Sequence, residues 1–114
     1  MEGSQEPAQR SGRSGGVWVI SWKPLREFWK VHEDAEVPLA TWFAITEEAT
    51  WKSFADVRAT FGRTVDRVGE CYVFNIRGNH YRLIAKISKK WKKVWVRRVL
   101  THREYDRGEW KKEC

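Results

Sequence analysis

Hydrophobic spacing divides the chain into a helical half and a strand half. Leu25, Phe28, Trp29 and His32 recur at intervals of three and four, which predicts one face of a helix ending near His32. Ser21 is its expected N-cap and Pro24 falls in the first turn, where proline is tolerated. Asp34 to Trp51 predicts a second helix, capped by Asp34, with Val37, Leu39, Trp42, Phe43 and Ile45 as a broad apolar stripe. Ser53 to Phe61 predicts a shorter third helix, with Ser53 and Asp56 as a capping-box-like pair and Gly62 as its stop. Ahead of them, Val17 to Ser21 is a short β-rich run and the expected first strand.

Beyond Gly62 the period drops to two. Val65–Val68, Cys71–Ile76, His80–Ser88 and Lys93–Leu100 predict an antiparallel meander. Arg77-Gly78-Asn79 makes a three-residue hairpin turn, and Lys89 to Lys92 makes the next one. Thr101 and Glu104 fit a capping box that opens a short C-terminal helix, THREYD. The expected fold is α+β: an N-terminal strand and two to three helices on one face of an antiparallel sheet, with the other face free for a ligand. Alternation along the 80–88 strand puts Tyr81, Leu83, Ala85 and Ile87 toward the helices. It turns His80, Arg82, Ile84 and Lys86 toward the open side.

Composition narrows the class. A chain of 114 residues with 41% hydrophobic content and eight tryptophans can bury one core. Residues 1–16 hold no aromatic or β-branched side chain and are expected to be a disordered extension; 17–110 form the domain and 111–114 a frayed tail. No apolar run reaches membrane-spanning length and no secretory h-region is present, so a soluble, cytoplasmic protein without a membrane partner is expected. Cys71 and Cys114 read as a core thiol and a terminal thiol rather than a framework, and they are too few for a cysteine-based zinc site.

Charge points to a partner. The net charge is +7, and residues 65–114 alone carry fourteen bases against six acids. That asymmetry suits a polyanion, with nucleic acid first. The competing explanation is a solvated basic face that serves solubility.

Three segments, WKSFADVRATF (51–61), VFNIRGNHYRLIAKI (73–87) and RRVLTHREYD (97–106), together resemble the HigB-type toxin family of bacterial type II toxin–antitoxin systems. The likeness covers roughly residues 17–110, and its specificity lies in the order and spacing of the last two segments. The resemblance implies a RelE-like fold, cleavage of mRNA on the ribosome, and a cognate antitoxin with a helix-turn-helix domain. Two departures stand out. The N-terminal extension lies outside the family pattern, and Arg77 stands where a second glycine is usual. Arg77 then either takes a positive φ at a cost or adds a cation to the RNA face.

RNA brings its own nucleophile, the 2′-OH, so cleavage needs a base, an acid and cations around the phosphate. No cluster of acids suited to Mg²⁺ is apparent, and a mechanism without metal or other cofactor is expected. Arg82 is the expected phosphate fork, the part that the resemblance implies for the Arg of the matching segment. Without the resemblance, a surface Arg packing its stem on a neighbour is the better reading. His102 is the candidate acid or base, since imidazole ordinarily titrates near about 6.5; the alternative is a histidine bonded within the cap. Tyr105 follows on the same helical face, for proton transfer or base stacking, or as a half-buried core ring. Asp106 orients His102 or ends the helix. Lys86, with a plain solvated lysine as its alternative, is an expected RNA contact, as are Lys52 and His80, and the resemblance adds Arg97, which matches the Arg of the family's final strand. Arg98 is expected to face solvent, and Trp91 either stacks on a base or anchors its turn. A non-catalytic RNA- or DNA-binding module, and a subunit that docks an acidic protein, are the rival functions.

Overall fold

Among the described residues five strands form one sheet: β1 (Trp18–Val19), β2 (Val65–Val68), β3 (Cys71–Ile76), β4 (Tyr81–Ser88) and β5 (Lys93–Thr101). Their spatial order is β1-β5-β4-β3-β2. This computed structural model describes residues 18–19, 22–88 and 93–114. The expected extension 1–16, the Ser21 cap and the Lys-rich turn with Trp91 lie outside them. Strands β2 to β5 are antiparallel neighbours, as the period of two predicts. Strand β1 runs parallel to β5, pairing Trp18 with Lys93 and Val19 with Val94. Three helices, within residues 23–61, separate β1 from the meander, and a connection of that length permits a parallel edge.

Helices α1 (Lys23–Val31), α2 (Glu36–Glu48) and α3 (Phe54–Phe61) cover one face of the sheet. Trp22, Leu25, Trp29, Leu39, Trp42 and Phe43 are buried there against Phe74, Leu83, Ala85 and Val94. The rings meet edge-on, Trp22 with Phe43 at 4.7 Å and Trp42 with Phe74 at 5.3 Å, the arrangement that aromatic quadrupoles favour. Two expectations fail in this layer. Val37 and Ile45 are exposed, leaving Leu39, Trp42 and Phe43 as the buried face of α2. Asp34 does not cap that helix; it lies in a 3-10 turn, Glu33–Ala35, and its carboxylate is engaged by the sheet. Ser53 does cap α3, accepting the Asp56 N–H at 3.4 Å, but Asp56 reaches back to the Lys52 N–H at 2.8 Å rather than to that of Ser53.

The second face of the sheet is not bare. Helix α4 (His102–Arg107) and a 3-10 turn, Glu109–Glu113, fold back across it. Trp110 seals a small core with Cys71, Val73 and Ile84. The segment is fastened by a disulfide between Cys71 and Cys114, and the Glu70 N–H donates to the Cys114 carbonyl at 3.1 Å. Gly69 fits this contact: its φ is +58° and a Cβ there would stand 2.6 Å from that carbonyl. Arg98 is exposed, as expected, and there pairs with Glu113, which adds a further tie. The expected free face, frayed tail and separate thiols are therefore all overturned. Each depends on where the chain end lands, and local spacing carries no record of that.

The disulfide closes a loop with a sequence separation of 43. Loop-closure entropy of that order corresponds to about 2–4 kcal/mol of stability. Reduction, or Cys114→Ser, is expected to lower the melting temperature by several degrees, measured by circular dichroism with and without dithiothreitol. An unchanged midpoint would show that the tail is held by packing alone.

Candidate functional site

Strands β3 and β4 are joined by residues 77–80, between the paired Ile76 and Tyr81. The turn has four residues rather than three, so His80 belongs to it and not to the strand. Arg77 takes φ +53° and Gly78 φ +63°. A left-handed conformation at a residue with a Cβ costs roughly 1–2 kcal/mol, so of the two possibilities for Arg77 the costly one holds.

Three carbonyls of this turn are used. The Arg77 carbonyl accepts the His80 N–H at 3.2 Å and lies 3.0 Å from His80 Nδ1. The Asn79 carbonyl accepts from Arg82 Nη1 at 3.0 Å. The His80 carbonyl accepts the His102 N–H at 3.2 Å, which docks the start of α4.

Arg82 is only 9% exposed. Nη1 donates also to the Tyr81 carbonyl at 3.2 Å, and no bond from Nη2 is seen among the described residues. Its Cζ lies 4.8 Å from the centre of the Tyr105 ring, a cation–π contact, and Tyr105 in turn stacks on Trp110 at 5.1 Å and 14°. His102 is exposed at the first turn of α4, with Nδ1 2.9 Å from Asp106 Oδ2. A carboxylate so placed favours the tautomer with the proton on Nδ1 and leaves Nε2 as the ring's acceptor. The capping box of Thr101 and Glu104 is formed in full and sets the angle at which His102 leaves the strand.

Arg82, His102, Tyr105 and His80 thus share one end of the sheet. The remaining residues do not join them. Lys86 lies on the same face of β4, but Ile84 stands between it and Arg82, under Trp110, and Lys86 is 4.0 Å from Glu70. An apolar cover thus lies between the two cations that β4 turns to this side. Arg97 occupies a bulge, where the register steps from Ile84↔Arg98 to Ala85↔Val96. It lines a groove of about 420 Å³ with Phe28, Val31, His32 and Leu100. Lys52 precedes α3, whose Phe54 packs on Tyr72, toward the end of β3 away from the turn. Among the described residues no cluster of three His, Cys, Asp or Glu is arranged to hold a metal.

One partnership escaped sequence reasoning. Asp34 accepts the Tyr81 hydroxyl at 2.6 Å and pairs with Arg77 Nε at 3.4 Å. The phenol hydrogen bond, and to a lesser degree the Arg77 guanidinium, hold the Asp34 carboxyl below its ordinary pKa; the same bond raises that of Tyr81. These residues are 47 positions apart, and no motif joins them. The unusual Arg77 in a glycine position was the one available sign.

A sequence profile of the HigB toxin family, described as the RelE-like toxic component of a toxin–antitoxin system, matches residues 35–108. The mRNA interferase toxin HigB of Escherichia coli K12 is 46% identical over 35 residues, 31% of this chain and 34% of that protein. The mRNA interferase HigB of Shigella flexneri shows the same identity over the same lengths. The chain spans about a third of the length of these curated relatives, 34%.

The Asp34–Tyr81 bond has a defined pH window. A carboxyl with a lowered folded pKa stabilises the fold above its unfolded value, near about 3.9, and loses that contribution as pH falls through the folded one. A phenol with a raised folded pKa stabilises below about 10 and loses the contribution as pH rises through the folded value. The bond is expected to hold unchanged from pH 5 to pH 9, the interval between these limits. In a phenolate titration at 295 nm, Tyr81→Phe should remove a late-ionising step, and loss of an early one instead would refute the assignment.

Proposed function

The chain belongs to the HigB toxin family, the RelE-like toxic components of toxin–antitoxin systems, and we propose that it acts as the toxin of such a pair, a ribosome-dependent endoribonuclease that cuts mRNA without a metal. The observation that carries this reading is the gathering of the Arg82 guanidinium, the Tyr105 ring and the His102–Asp106 pair at one end of the sheet. In the proposed reaction the 2′-oxygen attacks the adjacent phosphorus, forming the O2′–P bond as the P–O5′ bond breaks. A base takes the 2′ proton and an acid returns one to O5′, leaving a 2′,3′-cyclic phosphate. His102, oriented by Asp106, is proposed for one of these transfers and Tyr105 for the other. Arg82 is proposed to offer Nη2 to the crowded phosphate while Nη1 anchors it to the turn.

His80 is proposed to contact the nucleotide beside the cut. Lys86, Arg97 and Lys52 are proposed to hold more distant phosphates of the message or the ribosome, since their positions separate them from Arg82. An acid-rich, helix-turn-helix antitoxin is the proposed neutralising partner.

One observation favours a second reading. Arg82 is nearly buried and already satisfied through Nη1, as a structural tie would be. A non-catalytic RNA-binding module would use the same surface and leave the message whole. Primer extension on messages after induced expression separates the two, because the toxin is expected to leave discrete cuts within coding regions. His102→Ala and Arg82→Lys are each expected to lower cleavage at least ~10²-fold and relieve growth arrest, with circular dichroism unchanged. Growth arrest at wild-type strength in both variants would remove these residues from the site.

A further inference from the structure

We propose that Asp34 is a positioning residue for this site, clamping the 77–80 turn so that Arg82 and His102 are held in working register. The inference rests on the reading that those two side chains work on RNA. It assigns a task to a helix-layer residue that touches neither of them.

Two tiers of contacts support it. In the outer tier, Asp34 grips both flanks of the turn, through Arg77 Nε on one side and the Tyr81 hydroxyl on the other. Its own backbone is anchored, because the adjacent Ala35 is fully buried. In the inner tier, the turn's carbonyls at Asn79 and His80 accept from Arg82 Nη1 and the His102 N–H. A shift of the turn therefore moves both candidate groups together. Such a shift is accessible, since Arg77 sits in a left-handed conformation that an arginine does not favour. The carboxylate opposes it by holding the Arg77 side chain at 3.4 Å.

The same geometry makes Asp34 a clean probe. Its side chain is exposed, so truncation opens no cavity. Tyr81 stays packed by Phe28 at 5.1 Å and His32 at 5.5 Å, so the helix layer keeps its grip on the strand. Loss of Asp34 removes the orientation of the turn and the partner of the Tyr81 hydroxyl, and leaves the ring packing in place.

The test is single-turnover cleavage of a message on programmed ribosomes by the full chain, with Asp34→Ala, Asp34→Asn and Tyr81→Phe. The expected result is a maximal rate lowered ~10-fold or more in Asp34→Ala, with the half-saturating concentration within about twofold of wild type, since small misplacement of reacting groups acts on the rate rather than on binding. Asp34→Asn keeps an acceptor for the phenol and should recover part of the rate. The double variant Asp34→Ala/Tyr81→Phe should be no worse than Asp34→Ala, because Tyr81→Phe removes a bond that Asp34→Ala has already removed. Hydrogen exchange supplies the second readout: the His102 amide should exchange faster in Asp34→Ala while that of Leu83 in the core does not change. Cleavage by Asp34→Ala at the wild-type rate, or an unchanged His102 amide, would overturn the proposal. If wild-type protein leaves the message uncut, the endoribonuclease reading fails, and the exchange of the His102 amide still decides whether Asp34 positions it.

Discussion

A guanidinium largely removed from water must find much of its compensation inside the fold, and Arg82 sets that condition for this molecule. It is met from three directions: the carbonyls of Asn79 and Tyr81, the face of Tyr105, and the apolar cover that excludes solvent around them. A desolvated cation over an aromatic face is worth about 2 kcal/mol, more than an exposed pair would supply. The ring can be there only if the chain end returns across the sheet. The stacking of Tyr105 on Trp110, the ion pair of Arg98 with Glu113 and the disulfide at Cys114 bring it there.

The sheet thus has two cores of unequal size. The larger, under the helices, holds the fold together. The smaller, sealed by Trp110, determines which basic residues stay together and which are separated. Arg82 falls on the side of the seal that faces the 77–80 turn and α4. Lys86 falls on the other, and the β5 bulge displaces Arg97 by one further position. Among the described residues, Lys86 and Arg97 therefore lie apart from a compact cluster around Arg82 instead of along one strip with it. An extended polyanion would meet the cluster at one point and the scattered cations along its flanks.

The alternation in YRLIAKI placed Arg82 and Lys86 on the same face, and the Thr101–Glu104 capping box placed His102 and Tyr105 on one turn of helix; both are local patterns and both are realised. Where the reading failed, the determinant was nonlocal. Cys71 and Cys114 looked like unrelated thiols because nothing near either residue shows that the tail reaches β3. Asp34 looked like a cap because Asp before an apolar run commonly is one, and its true partners come from a hairpin far along the chain.

The amino-acid sequence alone determined the element types, the antiparallel meander, the sidedness of β4 and the family, because hydrophobic period, caps and short ordered motifs act within a few residues. Only the tertiary structure decided that the second face is half covered, that Arg82 lies under Tyr105, and that Asp34 reaches the turn. Those outcomes come from closing long loops onto particular surfaces, where packing and hydrogen-bond satisfaction select among many landings that the local pattern leaves equivalent.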